Sequence, residues 1–255
     1  MTVSEFIKNL EEILPPAFSG EIDTDGAQCV PNPDRTVKKV LVSLDPYGFA
    51  VNEAVRGGYD LLLTHHPLFY FGREPETPQD KWGERLEAAG VAQVSFHMRL
   101  DNARGGVNDL LAGLLGLRNV KTFGIPECDS LGRIGELPRP VSVADFAATV
   151  RDVLGAGKVN YTELPDDRLV AKVAVLGGAS SDFVAAAAEA GADAIVGGEF
   201  KHHIYGIAGA LDIAVIEAGH YFTENPVCAV LADMVRRVCP GAEVTVMSPA
   251  PVKVI

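Results

Sequence analysis

Cysteine is scarce in this chain. Cys29, Cys128, Cys228 and Cys239 are the only four in 255 residues, and no two have the Cys-x-x-Cys spacing of a zinc knuckle or redox motif. They read as small buried hydrophobes carrying no chemistry. Long apolar runs are missing too, each being cut by charge or glycine before it could span a bilayer. Met1-Thr2-Val3-Ser4-Glu5 lacks a basic stretch ahead of an apolar run, so no secretion signal is read there and a cytoplasmic location is expected. Basic residues are outnumbered, 22 Lys and Arg against 34 Asp and Glu, for a formal charge of −12. A surface of that sign repels phosphate backbones and argues against charge-driven binding of nucleic acid. A local exception is available, because two bound divalent ions would bring about four positive charges to one cleft.

What is present is a compact chain, 47% hydrophobic and 22% charged, enough for one large domain or two modest ones. Phe6, Ile7, Leu10, Ile13 and Leu14 have helical spacing, with Ser4 placed to cap them. Pro15 to Arg35 reads as a loop. Strands are expected at Val40–Leu44, Leu61–Thr64 and Gln93–Phe96, with helices around Val51–Val55 and Lys81–Ala89 between them. The second half repeats the theme, with strands at Val173–Leu176, Gly191–Val196, Ile213–Ile216 and Val244–Val246 and an alanine-rich helix from Ser181 to Ala190. Strands alternating with helices indicate an α/β architecture with largely parallel, mixed sheets. Glu53-Ala54 to His66 and Glu189-Ala190 to Glu199 look alike, each a helix, a turn ending in Asp and an apolar strand with polar residues at its end, which suggests two related halves. The glycine-punctuated Leu131–Leu137 and a helix at Val143–Leu154 stand apart. Two interleaved α/β domains are therefore expected, 1–125 plus 217–255 and 126–216.

The six histidines occupy four places: His65-His66, His97, His202-His203 and His220, each following an apolar strand. Parallel α/β sheets bind ligands beyond the carboxyl ends of their strands, and packing alone would not collect histidines there. Adjacent residues in a strand face opposite ways, but a backbone turning at Pro67 lets His65 and His66 address one cleft. Satisfied loop histidines are the bland alternative for such a pair. Asp101 follows His97 by four residues and Glu224 follows His220 by four; in a helix that spacing shares a face. Imidazole with carboxylate suits zinc, iron, manganese or nickel without choosing among them. Gly105-Gly106 ahead of an apolar helix and Gly177-Gly178-Ala179-Ser180-Ser181 are weaker anion-cradle candidates, and tight turns explain them equally. Arg99, Arg104 and Lys201 are candidate substrate contacts, and Glu199, His202 and His203 either reach the cleft or cap a helix.

These residues sit in blocks that resemble the NGG-interacting-factor-three-like family, also called GTP cyclohydrolase I type 2-like or dinuclear-metal hexameric proteins. The blocks are Asp60-Leu61-Leu62-Leu63-Thr64-His65-His66-Pro67-Leu68, the run from His97 to Asp109, Gly132–Leu137, Gly197-Gly198-Glu199 and Glu217–Glu224, in family order along nearly the whole chain. The resemblance implies that His65, His66, Asp101, His220 and Glu224 are metal ligands for two divalent ions, Glu224 bridging them, with His97 beside them as a residue that supports the ligands or, catalytically, transfers a proton. It also implies a metal site in the interdomain cleft and a homohexamer. Met98 and Arg99 replace residues of the usual His-Thr-Asn-Leu-Asp, so the polarity near the metals is expected to differ. Glu199 and His203 keep the family's Gly-Glu-x-x-x-His, His202 is extra, and the length leaves no room for the domain some relatives insert.

Two functions remain open at this point. One is a metal-dependent hydrolase acting on a small molecule, either a guanine nucleotide (GTP cyclohydrolase-like) or a phosphoester, because bound metal lowers the pKa of water towards neutrality. The other is a non-catalytic metal- or metabolite-binding oligomer with a regulatory or chaperone role.

Overall fold

The computed structural model describes residues 1–18, 24–165 and 168–253. In chain order the elements begin α1 (Val3–Ile13), β1 (Gly26–Cys29), β2 (Lys39–Ser43), α2 (Gly48–Arg56), β3 (Leu61–Thr64), α3 (Pro78–Ala89), β4 (Ala92–Ser95) and α4 (Met98–Asn102). They continue with α5 (Val107–Leu114), β5 (Arg118–Ile125), β6 (Cys128–Val141), α6 (Val143–Leu154), β7 (Asn160–Tyr161), β8 (Val170–Val175) and α7 (Val184–Glu189). The last are β9 (Ala194–Gly197), α8 (His202–Ala210), β10 (Ala214–Glu217), α9 (His220–Glu224), α10 (Val227–Val238) and β11 (Glu243–Val246). Among the described residues no helix is long and apolar enough to cross a membrane.

The chain divides into two compact units, 1–103 with 227–249, and 104–226 with 250–255. The first sheet is ordered β1-β4-β3-β2-β11, with β11, β2, β3 and β4 parallel and β1 antiparallel at the edge. The second is ordered β5-β6-β8-β9-β10-β7, parallel through β8, β9 and β10 and antiparallel elsewhere. The expected α/β class with mixed, largely parallel sheets is what forms. The boundaries expected near 125 and 217 move, however. Residues 104–125 join the second unit because β5 pairs with β6 of that sheet and α5 packs on it. Residues 217–226 stay there because β10 runs to Glu217 and α9 packs on α5.

Local chemistry explains the elements. α1 starts at Thr2 rather than Ser4: Thr2 Oγ1 accepts from the Glu5 amide at 3.2 Å, and the Glu5 carboxylate accepts from the Thr2 amide at 2.8 Å. This reciprocal cap satisfies two amides that open every helix unpaired. The expected loop from Pro15 to Arg35 contains β1, whose short, polar Gly-Ala-Gln-Cys carries little strand signal and forms by pairing with β4. In the second unit successive residues of β8 serve opposite faces. Val173 and Val175 pack with α6 residues such as Phe146 and Val150, while Ala174 packs with Val184 and Ala187 of α7. A sheet covered on both faces needs continuous apolar strands, which is what these sequences are.

The suspected repeat is real at atomic detail. In the first unit Asp60 Oδ2 accepts from the amides of Lys38 and Lys39 at 2.7 and 2.9 Å, and Lys39 Nζ donates to the Gly57 carbonyl at 3.0 Å. In the second, Asp193 Oδ2 accepts from Ala171 and Lys172 at 2.9 and 2.8 Å, and Lys172 Nζ donates to the Ala190 carbonyl at 2.6 Å. Each Asp ties the start of its own strand to the start of the neighbouring one. That contact sets the parallel register, and so decides which residues emerge at the other end.

Candidate metal centre

In the first unit the residues that emerge beyond β3 are His65 and His66. The backbone turns there, Thr64 Oγ1 donating to the His66 carbonyl at 2.6 Å and the His66 amide to the Leu44 carbonyl at 3.0 Å. The rings of His65 and His66 consequently lie 4.9 Å apart at 42°, and His97, beyond β4, lies 5.2 and 5.7 Å from them. One ligand atom from each of the three falls within 4.8 Å of the others.

The tautomers are set by what each Nδ1 meets. His65 Nδ1 is 3.0 Å from the Phe96 carbonyl oxygen, which can only accept, so Nδ1 carries the proton and Nε2 presents a lone pair. His66 Nδ1 is 2.7 Å from Asp45 Oδ1, a carboxylate–histidine contact that has the same effect and raises the basicity of Nε2. Asp101, on α4, places Oδ1 3.7 Å from His65 Nε2.

Asp25 holds the turn that carries His97 and Asp101. Its side chain is 1% exposed, accepts from the amides of His97 and Arg99, and lies 3.9 Å from the Arg99 guanidinium. Arg99 also reaches Glu11 at 3.4 Å. The residue expected to alter the polarity of the pocket is thus committed to Asp25 and Glu11 within the fold. Removing Asp25 takes a carboxylate from a buried guanidinium that keeps Glu11, and leaves two amides without their acceptor. Asp25→Ala is therefore expected to lower unfolding free energy by about 2–4 kcal/mol. Urea unfolding measures it, and wild-type stability in the variant would show that the contact is idle.

The second unit supplies a matching arrangement. Beyond β10, Gly219 leads into α9, which puts His220 and Glu224 on one face as the spacing predicts; Nε2 and Oε2 are 2.9 Å apart. Glu199, beyond β9, places its two carboxylate oxygens 2.9 and 3.0 Å from His220 Nδ1. Burial, the largest single influence, lowers the pKa of His220, but the hydrogen bonds and charges of Glu199 and Glu224 together outweigh it and push it up to about 10. Such a site is short of positive charge, which a cation would supply.

The donor set fits a divalent ion. Ligand bonds of about 2.0–2.2 Å place two donors roughly 3 Å apart at a right angle and about 3.6 Å apart at 120°. The separations of 2.9 Å in His220–Glu224 and 3.7 Å in His65–Asp101 match those values. The packing around Glu224 agrees: a Cβ at Gly178 would lie 2.3 Å from Glu224 Oε1 and 3.1 Å from His220 Nε2. A glycine there leaves room for the carboxylate.

Other sequence candidates fall away. His202 and His203 lie exposed on α8. Among the described residues neither joins a cluster of three ligand-type side chains. In the glycine loops three amides are already used by the chain. Gly105 donates to Asp109 at 2.8 Å, Gly177 to Asn108 at 2.8 Å and Gly178 to Thr223 at 3.1 Å. Asp25 and Asp45 were missed, since isolated aspartates in loops carry no sequence pattern.

The sequence profile of the DUF34/NIF3 (NGG1p interacting factor 3) family matches residues 1–251. A Streptomyces coelicolor relative named GTP cyclohydrolase 1 type 2 homolog is 32% identical over 236 residues, covering 89% of this chain and 82% of its own. One of the same name from Clostridium perfringens is 26% identical, covering 92% of each chain. The solved structure of reduced HcgD from Methanocaldococcus jannaschii matches with a TM-score of 0.83 at 27% identity, over 96% of this chain and 97% of that one. With histidines at the strand exits of both units and a family match along almost its full length, the chain belongs to the DUF34/NIF3 family.

Proposed function

We propose that the chain is a metal-dependent hydrolase in which His65, His66 and Asp101 of the first unit and His220 and Glu224 of the second would serve as ligands for two divalent ions. The observation that carries this reading is the repeated ligand geometry. Each unit orients a histidine through Nδ1, by a carbonyl in one and a carboxylate in the other, and sets a carboxylate beside Nε2. Divalent ions bound by these residues would supply an activated water and a Lewis acid. His97, its ring 5.2 Å from that of His65, would accept a proton from such a water. The nitrogen and oxygen donors suit zinc, iron, manganese or nickel. The names of the relatives favour a nucleotide substrate, and a phosphoester suits the same chemistry. The protein is read as a cytoplasmic homo-oligomer, a hexamer by family resemblance.

The test is turnover of GTP and of bis(p-nitrophenyl) phosphate by protein loaded with each metal in turn, beside His65→Ala and Glu224→Ala. The reading expects activity in the wild type and its loss in both variants. Equal rates in wild type and variants reject it, and bound metal without turnover leaves a binding protein instead.

A further inference from the structure

A cavity of about 360 Å³ opens in the second unit beside His220, within the roughly 300–1,000 Å³ range of small-molecule sites. Its lining includes the backbone of Gly198 and Gly219, at the ends of β9 and β10, and the rings of Tyr221 and Phe222. Those rings stand at 88° with centroids 5.3 Å apart. Phe222 lies close over Gly219, where a Cβ would be 3.0 Å from its Cδ2 and φ is +91°. Pro251 and Val252 add to the lining, and a further part of it follows α6. Gly155 and Gly157, with φ of 64° and 71°, turn the chain so that Ala156 is buried and Lys158 joins the cavity.

The polar groups sort by what already holds them. Glu217 is used by the fold, accepting from Asn160 at 2.9 Å, the Phe200 amide at 3.1 Å and the Tyr205 hydroxyl at 2.5 Å. Glu199 is fixed on His220 Nδ1. Lys158 is the one Lys or Arg in the lining, in a chain whose formal charge is −12. Its side chain is exposed. An aromatic wall that runs from Lys158, its one lysine or arginine, to the paired His220 describes a ligand with a flat apolar body and an acid group.

We infer that this cavity binds the non-reacting part of the substrate, an aromatic ring bearing an acidic group, with the ring against Phe222 and the acid at Lys158. The inference rests on the hydrolase reading only where it places the reacting bond at His220. Carboxylate and phosphate both satisfy an ammonium group, so the probes separate them.

The experiment titrates metal-free full-length protein, followed by saturation-transfer NMR, with phenylacetate, phenyl phosphate, benzyl alcohol and phenethylamine. The acids are expected to bind about tenfold more tightly than the alcohol, a charge-assisted hydrogen bond being the difference, and the amine most weakly. The tighter of the two acids names the group. Lys158→Glu is expected to lose that tenfold preference while binding benzyl alcohol as before. Phe222→Leu, which keeps bulk over Gly219, is expected to weaken all four ligands by a few-fold. Acids and alcohol binding alike, or Lys158→Glu binding acids as the wild type does, overturns the inference. His65→Ala should bind the acids unchanged, so a failure of the hydrolase reading leaves this measurement standing. Conversely, hydrolysis by a protein whose acid binding ignores Lys158 sinks the cavity assignment alone.

Discussion

Adding one methyl group at Gly178 is expected to weaken metal binding at least tenfold without altering a single ligand. A Cβ at that position would lie 2.3 Å from Glu224 Oε1 and 3.1 Å from His220 Nε2, so both side chains must leave their places. Displacing a ligand or its support in this way typically lowers metal affinity by about 10–100-fold. Glu224→Ala, which deletes the carboxylate itself, should lose more. Gly178 also has φ of +66°, so some of the effect of Gly178→Ala is backbone strain, about 1–2 kcal/mol for a residue with a side chain. Gly58 is the internal control. Its φ is +62° and a Cβ there meets nothing within 4 Å. Gly58→Ala should reduce stability by the strain alone and leave metal content untouched. Elemental analysis after equilibration with limiting metal separates the two variants. A Gly178→Ala protein that holds metal like the wild type would show that Glu224 is not a ligand.

The second large effect is on stability. Asp60→Ala should cost about 3–5 kcal/mol, and Asp193→Ala less, about 1–3 kcal/mol. The two aspartates make the same contacts with two backbone amides in their own units. They differ in surroundings. Asp60 is buried and also pairs with Arg35 at 2.6 Å, whereas Asp193 is only half-buried. Removing Asp60 therefore leaves amides and part of a guanidinium without a partner in a drier place. Urea unfolding followed by circular dichroism gives both values. Equal losses would mean that the Arg35 pair contributes nothing, and a negligible loss at both sites would remove the register argument.

Two of the gaps in the sequence reading share a cause. α6 was legible to the residue at both ends, because Ser142 caps it and Gly155 closes it in the left-handed conformation. The buried strands β2, β3, β8, β9 and β10 were legible because each is a short apolar run ended by polar residues. β1 and β5 were not, and both lie at sheet edges. β5 is mostly exposed, so no hydrophobic pattern marks it; it exists because β6 offers backbone partners. That pairing is also what moved the domain boundary from 125 to 103. A polar or exposed edge strand draws its definition from the neighbour it pairs with, and its own residues leave little local trace.

Taken by itself, the sequence determined the α/β class and the placing of histidines after strands, since both follow from local periodicity and residue type, and it carried the blocks in which the family resemblance lies. Only the tertiary structure decided how those histidines are held. Asp45 finds His66 across 21 residues, Glu199 finds His220 across 21, and Asp25 finds the His97 turn across 72. A carboxylate orients an imidazole through a contact under 3 Å in space, and separation along the chain carries no information about that distance until the strands between have paired in register.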